Sequence, residues 1–333
     1  MVYADGFDPF DTAPCDNGLP SDSGVGMQYA AALDLCRTAG ETGVAWGVIS
    51  ADLTLPSGLG TPAAASRSIR ALFGANNLPR AGSAMAAFST GAAAAPGQPS
   101  PPHVAFQPGL DTSTSSIAPA DWLAANGGVF PVAPGCPAAV GAIAHNPVML
   151  TLGIRVPGNA RSFSFQVHFL AADFPEWVCS PYNDMFVALL ESSFAGAPPN
   201  PADRNLARYT TPQATTYPLG VNLAWGDTGL FRQCRNGPTG CAGGIPGTTS
   251  SCLGIGGLQG TGMDLSISDA CSPTSMVGGA SDWLGVRGNV VPGETIRLRL
   301  ALWDTGDPLS DSVVLLDGFA WSRATATPGV FVP

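Results

Sequence analysis

The residues best suited to chemistry are oxygen donors in two short stretches. The segment Glu294–Trp321, ETIRLRLALWDTGDPLSDSVVLLDGFAW, carries Asp304, Asp307, Asp311 and Asp317, and an earlier segment carries Asp173, Glu176, Asn183 and Asp184. Carboxylates so close in sequence repel one another unless they are solvated or hold a cation. Calcium takes six to eight oxygens, and loops rich in Asp, Asn and backbone carbonyls supply them. If the two stretches lie on adjacent strands, their oxygens converge and form a calcium site. No EF-hand spacing is present, and the competing expectation is that these Asp residues cap turns and face water.

Other chemistries find less support. Two DTG triplets, Asp227-Thr228-Gly229 and Asp304-Thr305-Gly306, resemble the paired triplets of aspartic proteases, whose two carboxylates share a proton. They sit too close in sequence for a second full lobe, and Leu230 and Asp307 follow where that chemistry has Ser, Thr or Ala. A glycosidase needs only two carboxylates at a suitable separation. Glu176 and a late Asp would serve, but any acidic chain offers such pairs. There is no HExxH or GxSxG motif. The absence of lysine excludes a P-loop lysine, a Schiff base and a Ser–Lys dyad. GIGGLQG at 254–260 reads as a glycine-rich loop, because no apolar strand precedes it and no helix follows. Aromatic faces beside Asp and Asn are what sugar rings stack on. Among Trp177, Tyr182, Trp225, Trp283, Trp303 and Trp321, the candidates for that role are Trp177, Tyr182, Trp303 and Trp321, with packing as the alternative for each.

The elements that would position these groups are mostly strands. Ile296, Leu298, Leu300 and Leu302 alternate with Arg297, Arg299 and Trp303, the period of a strand with one buried face. Val313–Phe319, Val148–Val156, Arg161–Phe174 and Asp184–Leu190 read the same way, as do shorter runs at Gly43–Ala51 and Ser83–Thr90. Helices are expected over Met27–Thr38, over AAASRSIRALFG after Thr61-Pro62, and around Pro119–Asn126. These signals predict a mainly β fold: an antiparallel sandwich of jelly-roll type with a few short helices and long disulfide-stapled loops. The expected organisation is an N-terminal arm over 1–39, one sandwich domain over 40–322 with insertions at 192–216 and 232–260, and a tail over 323–333.

Eight cysteines, Cys15, Cys36, Cys136, Cys179, Cys234, Cys241, Cys252 and Cys271, include no CxxC pair, and only three His accompany them. Disulfides in an oxidising compartment fit better than zinc. Local loop lengths favour Cys15–Cys36 and Cys234–Cys241, leaving Cys252–Cys271 and Cys136–Cys179. A net charge of −10 without a basic stripe argues against nucleic-acid partners. No apolar run spans a bilayer. The first residues lack the features of a signal peptide, so the cysteines imply an exported chain whose signal has been removed.

Four stretches together look like a known family: LFGANNLPRAGSAMAAFST (72–90), FSFQVHFLAADF (163–174), EWVCSPYNDMFVAL (176–189) and RLALWDTGDPLSDSVVLLDGF (299–319). In this order they resemble the choice-of-anchor L domain of secreted bacterial proteins, in a cysteine-rich version similar to myxobacterial members. The resemblance covers roughly residues 40–322 and implies an exported or surface protein without an established catalytic activity. The C-terminal ATATPGVFVP departs from anchored members, since it has no apolar helix and basic tail.

The combined expectation is a secreted or cell-surface, non-catalytic structural or adhesive protein with a calcium site. Its partners would be other surface proteins or further copies of itself, in an oligomer or filament joined by strand addition. The alternatives are a calcium-dependent carbohydrate-binding module and a secreted hydrolase, either a glycosidase or a protease.

Overall fold

The computed structural model describes residues 13–226, 228–235, 238–247, 251–267, 271, 275–276 and 278–333. Asp227 of the first DTG triplet and the first twelve residues lie outside them. In chain order the strands are β1 Gly47–Thr54, β2 Arg67–Arg70, β3 Met85–Ser89, β4 Ser115–Ile117, β5 Ile143–Arg155, β6 Ser162–Ala171, β7 Met185–Glu191 and β8 Arg208–Thr210. They continue as β9 Thr216–Pro218, β10 Ser266–Ile267, β11 Ser275–Met276, β12 Gly279–Ala280, β13 Leu284–Asn289, β14 Thr295–Thr305, β15 Ser312–Ser322 and β16 Gly329–Phe331. Two short helices accompany them, α1 Gly26–Ala31 and α2 Ala120–Ala125.

The strands form an antiparallel sandwich. One sheet runs β1-β5-β14-β7, with β4 beside β5; the other runs β16-β13-β6-β15-β3-β2, with β12 beside β6. The alternation read from sequence sets the faces. Phe163, Phe165, Val167 and Phe169 of β6 and Ile296, Leu298, Leu300 and Leu302 of β14 all point into the layer between the sheets. Both sheets are also covered outside. On the seven-stranded sheet, Leu170, Val313 and Leu315 pack beneath Leu258 and Met263 of the glycine-rich region. On the other, Met149, Val187 and Trp303 pack beneath Trp122 of α2 and Phe130. Strands buried on both faces explain the near-continuous apolar run Val313–Leu316.

Three expectations need correction. The helix expected after Thr61-Pro62 is a single 3-10 turn, Ala64–Ser66, followed directly by β2. Pairing of Arg67–Arg70 with β3 buries all four residues, and this tertiary gain overrides a good local helix signal. The first helix stops at Ala31, and Asp34 beyond it takes a positive φ of 64°. The segment after residue 322 is not a free tail: β16 pairs with β13, and Arg287 lies 3.8 Å over the Phe331 ring.

The disulfides are Cys15–Cys36, as loop length indicates, Cys136–Cys179, the pair expected by elimination, and Cys234–Cys252 and Cys241–Cys271, which differ from the expected Cys234–Cys241 and Cys252–Cys271. The chain around Gln233 runs parallel to that around Gly254: Cys234 N–H donates to Gly254 O at 2.8 Å, and Leu253 N–H to Arg232 O at 2.9 Å. That pairing sets Cys234 beside Cys252. Meanwhile Gly240 N–H donates to Pro175 O and carries Cys241 away. Backbone pairing decided the connectivity, not contour length.

Several sheet edges are capped. Ile69 of β2 donates to Ser21 O; Phe186 and Leu190 of β7 donate to Leu219 O and Arg204 O; Val48 of β1 donates to Arg37 O. Strand addition at these positions would have to displace chain already bonded there.

Candidate carboxylate site

The two acidic stretches do meet. β14 and β7 are neighbours, and β15 begins where β6 ends, so that Ser312 pairs with Ala171. Asp173 follows β6, Asp184 precedes β7, Asp304 sits near the end of β14, and Asp311 precedes β15. All four are at most 4% exposed. The pairing of β14 with β5 jumps from Leu302–Val148 to Asp304–His145, an irregularity of the kind that re-aims side chains. Trp303 turns outward into the aromatic layer and Asp304 turns into the cluster.

Asp184 is the hub. It accepts hydrogen bonds from the Ser312 hydroxyl at 2.8 Å and from Thr305 N–H at 3.4 Å. Its carboxyl also meets those of Asp173 and Asp304. Such contacts attract only while one member keeps a proton. Asp304 accepts from Asn146 Nδ2 at 3.2 Å, and Asp311 accepts from Leu110 N–H at 3.1 Å. Asp173 Oδ2 and Asp304 Oδ1 have no hydrogen-bond partner in good geometry among the described residues, although the Thr90 hydroxyl lies near enough to Asp304 to pull it down.

The electrostatics follow from burial. Desolvation, then the Asp184 charge, holds Asp173 and Asp304 well above the ordinary carboxylate range. Burial lifts Asp184 to about 6, with the Asp304, Ser312 and Thr305 contacts pulling back, and lifts Asp311 to about 8. Among the described residues none of these four has an ion-pair partner. The chain pairs carboxylates with arginine elsewhere. Asp121 takes two bonds from Arg299, at 2.9 and 2.6 Å, and its hydrogen bonds to that guanidinium bring it down to about 2.

The other expected ligands divide. Glu176 is buried and adds its charge to the field on Asp173, as does half-buried Asp307, which accepts from Leu309 N–H at 3.0 Å. Asn183 is buried next to Asp184, and neither of its side-chain polar atoms has a hydrogen-bond partner among the described residues. Asp317 belongs elsewhere. It lies five residues along β15 from Ser312, roughly 17 Å at strand rise. There it accepts from Arg80 N–H, from Ala81 N–H at 3.2 Å and from Gly318 N–H at 2.7 Å, and it meets Asp34. Asp16 holds the same loop by accepting from Ser83 N–H and from Ala84 N–H at 2.6 Å.

Sequence reading missed Asn146, which has a φ of 48°, donates to Asp304, and accepts from Thr112 N–H at 2.9 Å. Its signal was the Asn-Pro step before a strand. It also missed Asp16 and Asp34, which look like ordinary turn residues until the arm folds back.

Among the described residues no set of three or more His, Cys, Asp and Glu side chains is arranged to hold a metal ion as it stands. The donor set is nonetheless all oxygen and anionic, which suits a hard cation and no soft one. Of the aromatic candidates, Trp303 is fully buried against Trp122 and Phe130 and offers no face to a sugar. Trp177 and Tyr182 pack edge to face at 5.5 Å, and Trp321 packs on Phe163 and Phe319 beside a 190 Å³ cleft shared with Trp46.

No family model, no curated protein and no solved structure matches the chain. The described cysteines are all paired, which fits folding in an oxidising compartment. Among the described residues no helix is long and apolar enough to cross a membrane.

Proposed function

We propose that the chain is a secreted, non-catalytic structural or adhesive domain whose two sheets are locked by a cation, calcium first, bound at Asp173, Asp184, Asp304 and Asp311. One observation carries this reading: carboxylates from both sheets converge in a buried space without a basic partner among the described residues. Above the pH at which they lose their protons, such a cluster repels itself unless a cation enters. Asp184, at the head of β7, and Asp304, on β14, come from one sheet; Asp173 and Asp311, flanking β6 and β15, come from the other. A bound ion would therefore tie the sandwich across its layers.

Burial also supports a structural role over a catalytic one. A hydrolase needs its carboxylate pair at a surface that substrate reaches, whereas these four are at most 4% exposed and the clefts beside Trp46, Trp283, Arg297 and Phe194 are lined by other residues. Membership of the choice-of-anchor L family belongs to the same proposal, since three of the four stretches that carry the resemblance supply the site. Adhesion to other surface proteins or self-association is the corresponding biological role, and the capped edges direct it to side-chain surfaces.

Thermal unfolding at pH 8 tests the lock. Millimolar calcium should raise the melting temperature over chelator, because a ligand at one hundred times its dissociation constant adds about 2.7 kcal/mol to the folded state. Magnesium, smaller and stricter about octahedral geometry, should do less. Identical melts in chelator and in calcium would reject the cation reading.

A further inference from the structure

A second polar feature lies away from the carboxylates, on the outer face of the seven-stranded sheet. A cleft of 410 Å³ is bounded by Asn76, Arg80, His168, Gln233, Asp282 and Trp283, with the backbone of Gly257 along one wall. That volume falls in the range of small-molecule sites.

The walls are built rather than incidental. Gln233 accepts from Gly257 N–H at 2.9 Å and donates to Asp282 Oδ1 at 2.6 Å. Asn77 donates to Gly257 O, and Asn76 to Gly256 O, each at 2.8 Å. The Cys234–Cys252 disulfide ties the two strands that carry Gln233 and the glycine loop. A Cβ on Gly257 would lie 3.1 Å from Gln233 Cγ and 3.3 Å from the His168 ring, so the bare backbone is what lets the loop close over the histidine. His168 is 2% exposed, and neither ring nitrogen has a hydrogen-bond partner in good geometry among the described residues. Burial drops it to about 4, against the pull of Asp282, so at neutral pH it is an uncharged imidazole with one donor and one acceptor. Trp283 lies 5.5 Å from that ring, and the exposed Arg80 guanidinium lies 6.0 Å from its centroid.

We infer that this cleft binds a neutral carbohydrate, a pyranose unit of a glycan, with Trp283 as the apolar platform and Asp282, Arg80 and Asn76 as hydroxyl partners. The charges at the rim, one guanidinium and one carboxylate, balance, and the remaining polar groups are amides and an imidazole. Such a set donates and accepts in equal measure, which matches vicinal hydroxyls that do both. It disfavours a polyanion, which the chain's net charge of −10 repels further. It also disfavours a purely apolar ligand, which would leave the polar walls unpaired. The rigid bracing of Gln233 and Asn77 lowers the cost of ordering the site on binding.

Calorimetric titration of the full chain with gluco-, manno- and N-acetylglucosamine-configured hexasaccharides tests the assignment. At least one should bind at millimolar or lower concentration, equally in calcium and in chelator, because the cleft shares no residue with the carboxylate site. Trp283→Ala should weaken that binding about tenfold or more. Asp282→Asn and Arg80→Gln, both at the rim, should weaken it while leaving the melting temperature within a few degrees. No heat with any of the three sugars, or binding that survives all three substitutions, would overturn the inference. Binding that disappears in chelator would reassign it to the carboxylate site.

Discussion

Two groups of buried carboxylates in this molecule solve the same problem in opposite ways. Around the loop 80–84, Asp317 and Asp16 are met by backbone N–H groups, five in all, which supply most of what the charge needs, with only Asp16 Oδ1 of their four oxygens left without a partner among the described residues. Around Asp184 other carboxylates crowd in beside the Ser312 and Thr305 donors, and among the described residues two of the cluster's oxygens have no donor in good geometry. Burial raises Asp317 to about 7, where three N–H groups hold it back against the Asp34 charge, while at the other cluster the Asp184 charge drives Asp173 and Asp304 further up than burial alone. The lesson is that a buried Asp is not by itself a ligand. The supply of donors separates an acid that staples a loop from one that waits for a proton or a cation.

The largest effect should come from breaking the self-sufficient group. Asp317→Ala leaves three N–H groups without their acceptor, and each such loss costs roughly 1–3 kcal/mol, so denaturant unfolding should show a drop of about 3 kcal/mol. Calcium should not alter that drop. A calcium-dependent loss would place Asp317 functionally with the other cluster.

pH should then separate the groups. A carboxyl raised in the folded state contributes stability that is fully present below its unfolded pKa of 3.8 and is lost as pH rises through its folded value. In chelator, stability should fall between about pH 4 and pH 8, as Asp184 near 6 and Asp311 near 8 give up their protons. Millimolar calcium should flatten the upper part of that decline, leaving the share due to Asp317. Superimposable profiles with and without calcium would remove the distinction between the groups.

The smallest effect sharpens the contrast most. Asp304→Asn keeps an acceptor for Asn146 and removes one charge from the cluster. In chelator at pH 8 it should leave the unfolding free energy unchanged or raise it by on the order of 1 kcal/mol, the scale of one relieved like-charge contact. It should also abolish the response to calcium. A strongly destabilised Asp304→Asn protein would mean that the carboxylate is already satisfied without a cation.

Much of this architecture was legible in the chain, and the failures are physical. Period-2 alternation in β5, β6 and β14 located the strands and the layer between the sheets, because one buried face imposes it. The SPYND and WDTGD segments pointed to where the acids would gather. Asp317 was grouped wrongly because sequence distance hides strand rise: six residues from Asp311, it stands at another place on the sheet. Residues 64–70 misled because Ala, Ser and Arg favour a helix locally, while pairing with β3 is decided by the whole fold. The cleft around Trp283 was invisible for a related reason: its members come from positions 76, 168, 233, 257 and 282–283, and only the folded backbone puts them side by side.

Asp311 leaves a trace of a different kind. Its carboxyl sits so close to Gly91 and Gly109 that a methyl group at either position would collide with it, and Gly109 also holds a φ of +103° that other residues resist. The three positions therefore cannot drift independently: a lineage that gains a side chain at either glycine must lose the acid. Among distant descendants of the same ancestor, joint retention of Gly91, Gly109 and Asp311 would mark those that kept the carboxylate site, and joint loss those that abandoned it.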